Sequence, residues 1–273
     1  MSIFRPNAQI QKTRRLAGEQ GVIGSLYRSS IFLEKAPKKV KPGQFFMVRS
    51  VAGVTAPLLA RALSALDYDP EKGVLDVCYR IYGEGTAQLA HARAGDALQV
   101  YGPYGNGFDR KEIGDRPVVL VGGGVGVPPL YLLGKQLAGE GKKVLFLQGA
   151  RSKGELLLVK ELRKENIPVH IATDDGSSGF KGRVGELFGE QLPELTKGKK
   201  PIVYVCGPHP MMADIARRCA EAGLDCRVSL EEKMACATGI CLACVVTVQK
   251  NGVEKNVPTC TKGPVFDAAE VVW

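Results

Sequence analysis

The sequence of 273 residues has little histidine and tryptophan, three and one respectively, and no unbroken apolar run of about 18 residues. Without such a run a membrane-spanning helix is not expected. The first residues, Met1 to Pro6, lack the apolar core of a signal peptide, so we expect a cytoplasmic chain. Internal repeats, low-complexity tracts and a convincing histidine–carboxylate pair are also missing, which argues against general acid–base catalysis.

The formal charge of +9 comes from lysines and arginines that are scattered along the chain. This scatter favours a basic surface, or a docking face for an acidic partner or a nucleotide, over a nucleic-acid groove. At this length we expect about two domains, with room for a small appendage.

Four of the eight cysteines follow a recognisable spacing. Cys236, Cys241 and Cys244 are separated by four and two residues, and Cys260 follows after fifteen more. This is the C-x4-C-x2-C…C spacing of plant-type [2Fe-2S] proteins. Small residues between these cysteines let the backbone curl, so that its N–H groups can point at sulfur atoms. The spacing therefore predicts that the four thiolates ligate a [2Fe-2S] cluster.

Zinc and disulfide bonds are the alternatives for these cysteines. Zinc sites usually combine two C-x2-C pairs or include histidine, and neither occurs here. Disulfides are typical of secreted chains. The spacing favours the cluster over both. Four further cysteines lie outside the pattern, and we expect them to be free buried thiols: Cys78, Cys206, Cys219 and Cys226.

The first part of the chain, from residue 8 to about 110, has the composition of short strands separated by turns. Many short antiparallel strands at this spacing predict a small β-barrel. Arg61 lies three residues before Ser64, and Gly83, Gly85 and Thr86 follow further along, which is a pattern able to contact phosphate groups. Alone it is weak evidence, because such residues are more often a solvated strand face and an ordinary turn. The predicted strands are 22–33, 44–49, 74–82 and 97–101.

The second part of the chain alternates strands and helices. A buried strand over 118–121 runs into a glycine-rich turn and then a helix that continues to Leu137, the arrangement that brings backbone close to a pyrophosphate. A doubly wound nucleotide-binding domain is therefore predicted, with its ligand at the carboxyl ends of the strands. The further predicted strands are 143–147, 169–172 and 202–206, with helices over 156–164, 184–191 and 210–222. The predicted nicotinamide site comprises Gly122, Gly123, Gly124, Gly126, Pro128, Cys206, Gly207 and Pro208.

Four motifs in this order resemble the ferredoxin–NADP reductase superfamily: Arg61-x-x-Ser64, Gly83-Glu-Gly85-Thr86, Gly124-Val-Gly126-Val-Pro128 and Cys206-Gly207-Pro208. The cysteine tail narrows the resemblance to the electron-transfer subunits of class 1B dihydroorotate dehydrogenases. It does so through residues 229–236, Cys241-Leu-Ala-Cys244 and residues 263–268. The resemblance extends over nearly the whole chain.

This resemblance implies three parts: a flavin-binding antiparallel β-barrel (1–112), a nicotinamide-binding α/β domain (113–228) and a small C-terminal [2Fe-2S] domain (229–273). The implied cofactors are FAD, a [2Fe-2S] cluster and NAD(H). NADH is expected on the resemblance alone, because Arg151-Ser152 after a strand could also suit a 2′-phosphate. The residues implied to hold FAD are Arg61, Leu63, Ser64, Cys78, Tyr79, Arg80, Gly85 and Thr86.

The implied function is electron transfer between a partner FMN dehydrogenase, which oxidises dihydroorotate in pyrimidine biosynthesis, and NAD+. A hetero-oligomer, specifically a heterotetramer, goes with it. A flavin can connect the nicotinamide, which exchanges two electrons, to a cluster that accepts one. One alternative shares these three parts: the flavin subunit of a bifurcating NADH-dependent ferredoxin:NADP oxidoreductase or sulfide dehydrogenase. Another, of a different class, is a non-catalytic iron–sulfur redox sensor.

The sequence departs from the family pattern at two positions. Ala62 stands where proline is usual, and Ala237 stands where glycine is usual in the cluster loop. Ala237 is expected to be strained if its φ is positive. We further expect His209 to have no chemical role, and Cys260 to fasten the segment from Gly263 to Trp273.

Overall fold

The computed structural model describes residues 3–51 and 56–273; Met1 and Ser2 of the predicted barrel domain lie outside this range. The described residues contain strands that close an antiparallel barrel in the order β1-β2-β5-β4-β3-β6. The predicted barrel is therefore confirmed. Its strands are β1 (Ile3–Ala17), β2 (Leu26–Phe32), β3 (Phe45–Ser50), β4 (Arg61–Asp69), β5 (Val74–Arg80) and β6 (Ala97–Tyr104).

Strands β1 and β4 and helix α1 of the barrel domain are not among the predicted elements. The long strand β1 pairs with both β2 and β6 and so closes the barrel. Helix α1 (Glu84–His91) begins inside the Gly83–Thr86 motif, which the sequence analysis treated as a turn. The strand predicted from Val22 starts only at Leu26, because Gly21 and Gly24 adopt positive φ and interrupt the extended backbone.

The second domain is an α/β sheet in the order β10-β9-β8-β7-β11-β12-β15. Its strands are parallel except for β15, which joins antiparallel to β12 and comes from the C-terminal segment. The predicted helix over 156–164 begins at Val159, because Leu158 has a φ of 58° and cannot be helical. The elements are β7 (Val118–Gly123), α2 (Val127–Gly139), β8 (Val144–Ala150), α3 (Val159–Lys164), β9 (Val169–Thr173), β10 (Phe180–Lys181), α4 (Val184–Leu195), β11 (Ile202–Cys206), α5 (His209–Ala222), β12 (Asp225–Ser229) and β15 (Val265–Asp267).

The C-terminal segment adds a β-hairpin and a short helix. β13 (Val245–Lys250) and β14 (Val253–Pro258) pair antiparallel around Asn251-Gly252, and both turn residues have positive φ, as a two-residue hairpin turn requires. The short helix α6 (Thr259–Lys262) then leads into β15. An isolated bridge between Val248 and Val271 joins the hairpin to the last residues of the chain.

The barrel and the α/β domain share an apolar core. Leu26, Leu66 and Cys78 of the barrel pack in one buried cluster with residues of β7 and α2. An ion pair between Lys135 and Asp67, 2.6 Å, crosses the same boundary. This packing fixes the two domains against each other. In the part of the chain that the structure describes, no helix is long and apolar enough to cross a membrane.

Candidate functional site

The predicted phosphate-contacting residues of the barrel come together at the start of α1. A Cβ atom added to Gly85 would lie 2.4 Å from Nη2 of Arg61, so the guanidinium rests directly on the backbone of this glycine. A helix N-terminus beside an arginine is a favourable place for a phosphate. The arrangement fits the phosphate end of FAD, because the helix backbone and the positive charge of Arg61 meet at one place. Gly85 has no side chain that would block a phosphate there.

Thr86 has a structural role in this motif. Its Oγ1 accepts the N–H groups of Tyr82 and Gly83, at 3.0 and 3.3 Å, and its hydroxyl donates to the carbonyl of Gly83 at 2.9 Å. The side chain is 7% exposed. Thr86 therefore holds the turn that presents Gly85, and its hydroxyl proton is already committed to the backbone.

Three other predicted flavin residues have buried side chains. Leu63 and Tyr79 lie in the barrel core, and the hydroxyl groups of Tyr79 and Ser29 are 3.0 Å apart. Cys78 points into the core shared by the two domains, where burial raises the pKa of its thiol to about 12. At these positions β4 and β5 can therefore offer their backbone to a flavin, but not these side chains. Ser64 remains half-buried on β4.

Arg80 is turned away from the start of α1. Its Nη1 donates to the carbonyl of Gly24 at 2.6 Å, and its Nη2 lies 3.3 Å from a carboxylate oxygen of Glu155 in the α/β domain. The side chain is only 14% exposed. Glu155 could not be predicted from the sequence, because a single acidic residue in a loop has no motif around it.

The predicted nicotinamide loops meet at the carboxyl ends of adjacent strands. Gly122 of β7 is the register partner of Cys206 of β11. A Cβ atom on Gly126 would lie 2.2 Å from the carbonyl oxygen of Cys206, and one on Gly207 would lie 3.1 Å from the backbone of Gly123. Glycine is thus required where two backbones touch, and the pair of loops forms one surface at the point where ligands bind in such sheets.

The backbone N–H groups that could donate to a pyrophosphate lie in the turn before α2 rather than in the first turn of the helix. Pro128 is in the first turn of α2, as predicted, and Pro129 follows it; neither has an N–H group. Among the described residues no side chain caps this helix. Gly124 has a φ of 55°, and a Cβ there would meet no described atom within 4 Å. The turn is therefore open to a ligand at Gly124, with the helix dipole behind it.

Two further features flank this surface. Burial raises the pKa of Cys206 well above its usual value, so the residue is a neutral thiol at physiological pH. The rings of His209 and Trp273 pack edge to face, with centroids 5.0 Å apart. His209 is the first residue of α5, directly after Gly207-Pro208. The contact with the last residue of the chain could not be found from the sequence, because nothing local links the two positions.

The four cysteines of the predicted cluster lie in two pairs. The backbone N–H of Cys241 donates to Sγ of Cys236 at 3.5 Å, and the thiols of Cys244 and Cys260 contact each other. Among the described residues, no three His, Cys, Asp or Glu side chains surround one point as a single metal ion requires. A cluster with two irons takes two thiolates at each iron, which is a grouping that these two pairs offer.

The two pairs differ in their electrostatic environment. Hydrogen bonds from Thr238 and from the backbone N–H of Cys241 lower the pKa of Cys236 to about 5. Burial and the neighbouring thiol of Cys244 raise the pKa of Cys260 to about 11. Cys236 is thus already a thiolate at neutral pH, whereas Cys260 would give up its proton on binding iron.

The cluster loop packs on the outside of the barrel. Ala237, Cys244 and Cys260 are buried together with Phe45 and Met47 of β3, and Ala62 of β4 lies against the same group. Ala62 is adjacent to Arg61 and Leu63, so one strand carries predicted flavin residues and also contacts the cluster loop. The exposed side chains of Ile240 and Leu242 flank the exposed Cys241 on the opposite side.

The backbone of the cluster loop is strained at the position where the family usually has glycine. Ala237 has a φ of 56° and Leu242 has a φ of 57°. A side chain in this left-handed region costs roughly 1–2 kcal/mol. The expectation of strain at Ala237 is therefore confirmed.

Two family models match the chain. The model described as the iron-sulfur cluster binding domain of dihydroorotate dehydrogenase B covers residues 231–272. The model described as an oxidoreductase NAD-binding domain covers residues 120–217. Each match falls on the part of the chain in which the corresponding site was predicted.

Solved structures support the fold. An NADH-dependent reduced ferredoxin-NADP oxidoreductase, described for flavin-based electron bifurcation, superposes with a TM-score of 0.80 and 31% identity. The match covers 98% of this chain and 90% of that one. A ferredoxin reductase of carbazole 1,9a-dioxygenase has a TM-score of 0.66 at 20% identity, over 82% of this chain and 67% of that one. The second likeness supports the fold only.

Curated relatives indicate which family with this fold the chain belongs to. The dihydroorotate dehydrogenase B (NAD(+)) electron transfer subunit of Geobacillus kaustophilus is 41% identical over 233 residues, 85% of this chain and 87% of the relative. The protein of the same name from Caldanaerobacter subterraneus subsp. tengcongensis is 36% identical over 270 residues, 99% of both chains. The resemblance found from the motifs is confirmed, and the chain belongs to the family of dihydroorotate dehydrogenase B electron transfer subunits.

Proposed function

We propose that this chain passes electrons from a partner FMN-containing dehydrogenase subunit to NAD+, for the oxidation of dihydroorotate to orotate in pyrimidine biosynthesis. The observation that carries the proposal is the packing of the cluster loop against β3 and β4. Phe45, Met47 and Ala62 touch the segment that holds Cys244 and Cys260. Because β4 also carries Arg61 and its neighbours, the cluster site lies beside the flavin site.

When bound, FAD exchanges two electrons with a nicotinamide and single electrons with an iron–sulfur cluster. The residues of this chain position and shield these groups. Arg61 and the backbone of Gly85 would hold phosphate charge, and the turn over 124–126 would hold the dinucleotide. The four cysteines would ligate the cluster. Hydride transfer needs no proton from a side chain, which fits the neutral thiol of Cys206 beside the nicotinamide loops.

The partner subunit docks, in this proposal, on the face around Cys241. Ile240 is 82% exposed and Leu242 is 60% exposed, and both adjoin this ligand. Exposed apolar side chains next to a redox site are typical of a surface that another protein covers. A hetero-oligomer follows, and we propose a heterotetramer of two chains of each kind.

The experiment is to purify the chain with its partner subunit under anaerobic conditions and to determine FAD, FMN and iron. We expect one FAD and one [2Fe-2S] cluster in this chain, FMN in the partner, and NAD+ reduction that depends on dihydroorotate. A matched complex with Cys241→Ser should keep FAD and NADH-driven flavin reduction but lose the dihydroorotate-dependent rate. A chain with no flavin absorption and no cluster EPR signal after reconstitution would refute the proposal.

The bifurcating oxidoreductase remains a weaker assignment. A structure of that kind is 31% identical, but the curated relatives at 36% and 41% identity are dihydroorotate dehydrogenase B subunits. The identity of the co-purifying partner separates the two, since a larger iron–sulfur flavoprotein would favour bifurcation. A cytoplasmic location belongs to the same proposal, and cell fractionation checks it.

A further inference from the structure

A buried hydroxyl group lies beside the proposed cluster ligands without a hydrogen-bond partner. The side chain of Thr259 is 0% exposed, and its Oγ1 atom has no hydrogen-bond partner among the described residues. Buried hydroxyl groups in folded proteins nearly always have a partner, because burial removes the hydrogen bonds that water would provide. A partner other than the polypeptide is therefore indicated for this hydroxyl group.

The backbone holds Thr259 next to two of the proposed ligands. Thr259 immediately precedes Cys260 in the chain, and its backbone N–H donates to the carbonyl of Cys244 at 2.9 Å. It is the first residue of α6, and the backbone N–H of Gly263 donates to its carbonyl at 3.0 Å. Both peptide groups of Thr259 are thus engaged, and only its side chain is left to interact with a bound group.

The surroundings of these two cysteines are apolar. Cys244 and Cys260 are buried together with Phe45 and Met47 of β3. Water can solvate negative charge at the exposed Cys241, but it does not reach the buried pair. Negative charge on the buried side of a cluster therefore depends on hydrogen-bond donors of the protein, and each such donor has a larger effect than it would in water.

We infer that the hydroxyl group of Thr259 donates a hydrogen bond to a sulfur atom of the [2Fe-2S] cluster and thereby raises the reduction potential of the cluster. Reduction adds one negative charge, so a donor to sulfur stabilises the reduced form more than the oxidised form. The hydroxyl proton of Thr259 is free for this bond, unlike that of Thr86, which donates to the carbonyl of Gly83. The inference rests on the proposed function only in that the four cysteines hold a cluster.

A role in packing alone is the alternative for Thr259. A side chain that only fills space would, when replaced, change the stability of the protein and the assembly of the cluster. It would not change the difference in free energy between the two redox states. The midpoint potential of the cluster measures that difference, so it separates the two roles.

The test is an anaerobic redox titration of the chain with its FAD, cluster and partner subunit, followed through the EPR signal of the reduced cluster. Thr259→Val is compared with the unmodified chain, because valine has nearly the shape of threonine but no hydroxyl group. We expect the ratio of reduced to oxidised cluster at a given potential to fall about tenfold, which is about 59 mV for one electron. Thr259→Ser retains the hydroxyl group and should retain the midpoint.

Thr261→Val is the matched control on the other side of Cys260. Thr261 is exposed, so water can bond to its hydroxyl group in both redox states, and the midpoint should not move. Equal shifts for Thr259→Val and Thr261→Val would overturn the inference, because any hydroxyl group beside this cysteine would then have the same effect.

Thr259→Ala covers the case in which valine is not tolerated. Alanine also lacks the hydroxyl group and is smaller than threonine, so it should lower the midpoint without a steric clash. An unchanged or raised midpoint without the hydroxyl group overturns the inference, and so does a Thr259→Ser midpoint as low as that of Thr259→Val. Failure of all three variants to assemble a cluster would show a packing role and overturn it too.

A different result contradicts the proposed cluster site itself. That result is the lack of a cluster EPR signal in every chain, the unmodified one included. The failure of the inference and the failure of the proposed function are therefore distinguishable in one set of titrations.

Discussion

Gly126→Ala should disable the nicotinamide site by forcing two backbones apart. Gly126 has a φ of −76° and a ψ of −12°, which alanine adopts without strain. The reason for glycine is therefore steric alone. The new Cβ would lie 2.2 Å from the carbonyl oxygen of Cys206 and 2.5 Å from the backbone nitrogen of Gly207.

The size of the effect follows from these distances. A carbon and an oxygen that are not bonded approach to about 3.3 Å, so the two loops must separate by about 1 Å. Both contacting groups belong to the backbone of β11 and its loop, which cannot turn aside as a side chain would. Overpacking of this kind costs about 1–3 kcal/mol in the free energy of unfolding. A displacement of about 1 Å in a site that positions reactants costs about 100-fold in rate.

The assay is stopped-flow reduction of the bound flavin by NADH, with dinucleotide binding followed separately. Trp273 is the only tryptophan of the chain and packs on His209 beside Gly207-Pro208, so its fluorescence should report binding near this loop. We expect Gly126→Ala to slow flavin reduction about 100-fold and to weaken the change in fluorescence. Iron content and the cluster EPR signal should not change.

Gly139→Ala is the matched control at the other end of α2. A Cβ there meets no described atom within 4 Å, and the position has no positive φ, so the rate should stay as it is and the stability should not fall. If Gly126→Ala reduces its flavin at the normal rate, the two loops do not form the nicotinamide surface and the assignment of this site is wrong.

Cys260→Ser should abolish the reduced-cluster EPR signal while leaving FAD bound. In limited proteolysis of this variant, the C-terminal segment should still be protected. Cleavage in the segment would show that Cys260 alone fastens it. Ala237→Gly relieves about 1–2 kcal/mol of left-handed strain but loses one buried methyl group worth about 0.8 kcal/mol, so its unfolding midpoint in denaturant should stay close to that of the unmodified chain. Ala237→Val should lower the midpoint clearly, and equal midpoints for both variants would contradict the strain. The hydrogen bond from Arg116 lowers the pKa of Asp225 below its usual value of 3.8, so this pair stabilises the protein at neutral pH and its contribution is lost as pH falls through the lowered pKa. Asp225→Asn should therefore lose at most about 1 kcal/mol at pH 7 and show a smaller further loss between pH 4 and 2 in acid unfolding curves; identical curves would argue against the pair.

Patterns that are local in sequence predicted much of the fold. The strand, glycine turn and helix from Val118 to Leu137 were predictable because every step depends on neighbouring residues. The cysteine spacing likewise predicted four cluster ligands without a structure. Local patterns could not show which of the glycines is sterically required. Gly124 and Gly126 look alike in the sequence, but only Gly126 lies against the backbone of β11.

The elements that were missed depend on distant partners. Strand β1 mixes charged and apolar residues and becomes a strand because β2 and β6 provide hydrogen bonds on both sides. Helix α1 begins in a glycine motif that is also typical of a turn. The helix starts there because Oγ1 of Thr86 accepts hydrogen bonds from the backbone N–H groups of Tyr82 and Gly83. The pair formed by Arg80 and Glu155 joins two domains, so no local pattern could reveal it.

The C-terminal segment shows how the cluster site is held in place. The sequence suggested that Cys260 fastens the residues after it, but β15 pairs with β12, and Phe266 lies in the core of the α/β domain. Asn106, in the loop after β6, also holds this segment. Its backbone N–H donates to the carbonyl of Gly263 at 2.7 Å, and its side-chain amide donates to the carbonyl of Lys262 at 2.9 Å. The segment after Cys260 is therefore bound both to the loop that follows β6 of the barrel and to the sheet of the α/β domain.

This arrangement has a consequence for electron transfer. Cys260 lies directly before the two attachments, and Cys244 lies against Phe45 and Met47, so the inner pair of thiols is fixed to the barrel by protein contacts alone. Of the other two cysteines, Cys236 is half-buried and Cys241 is exposed. In the proposed function, the fold itself would therefore hold the cluster ligands nearest the flavin-binding strand β4, and the partner would approach from the side of Cys241.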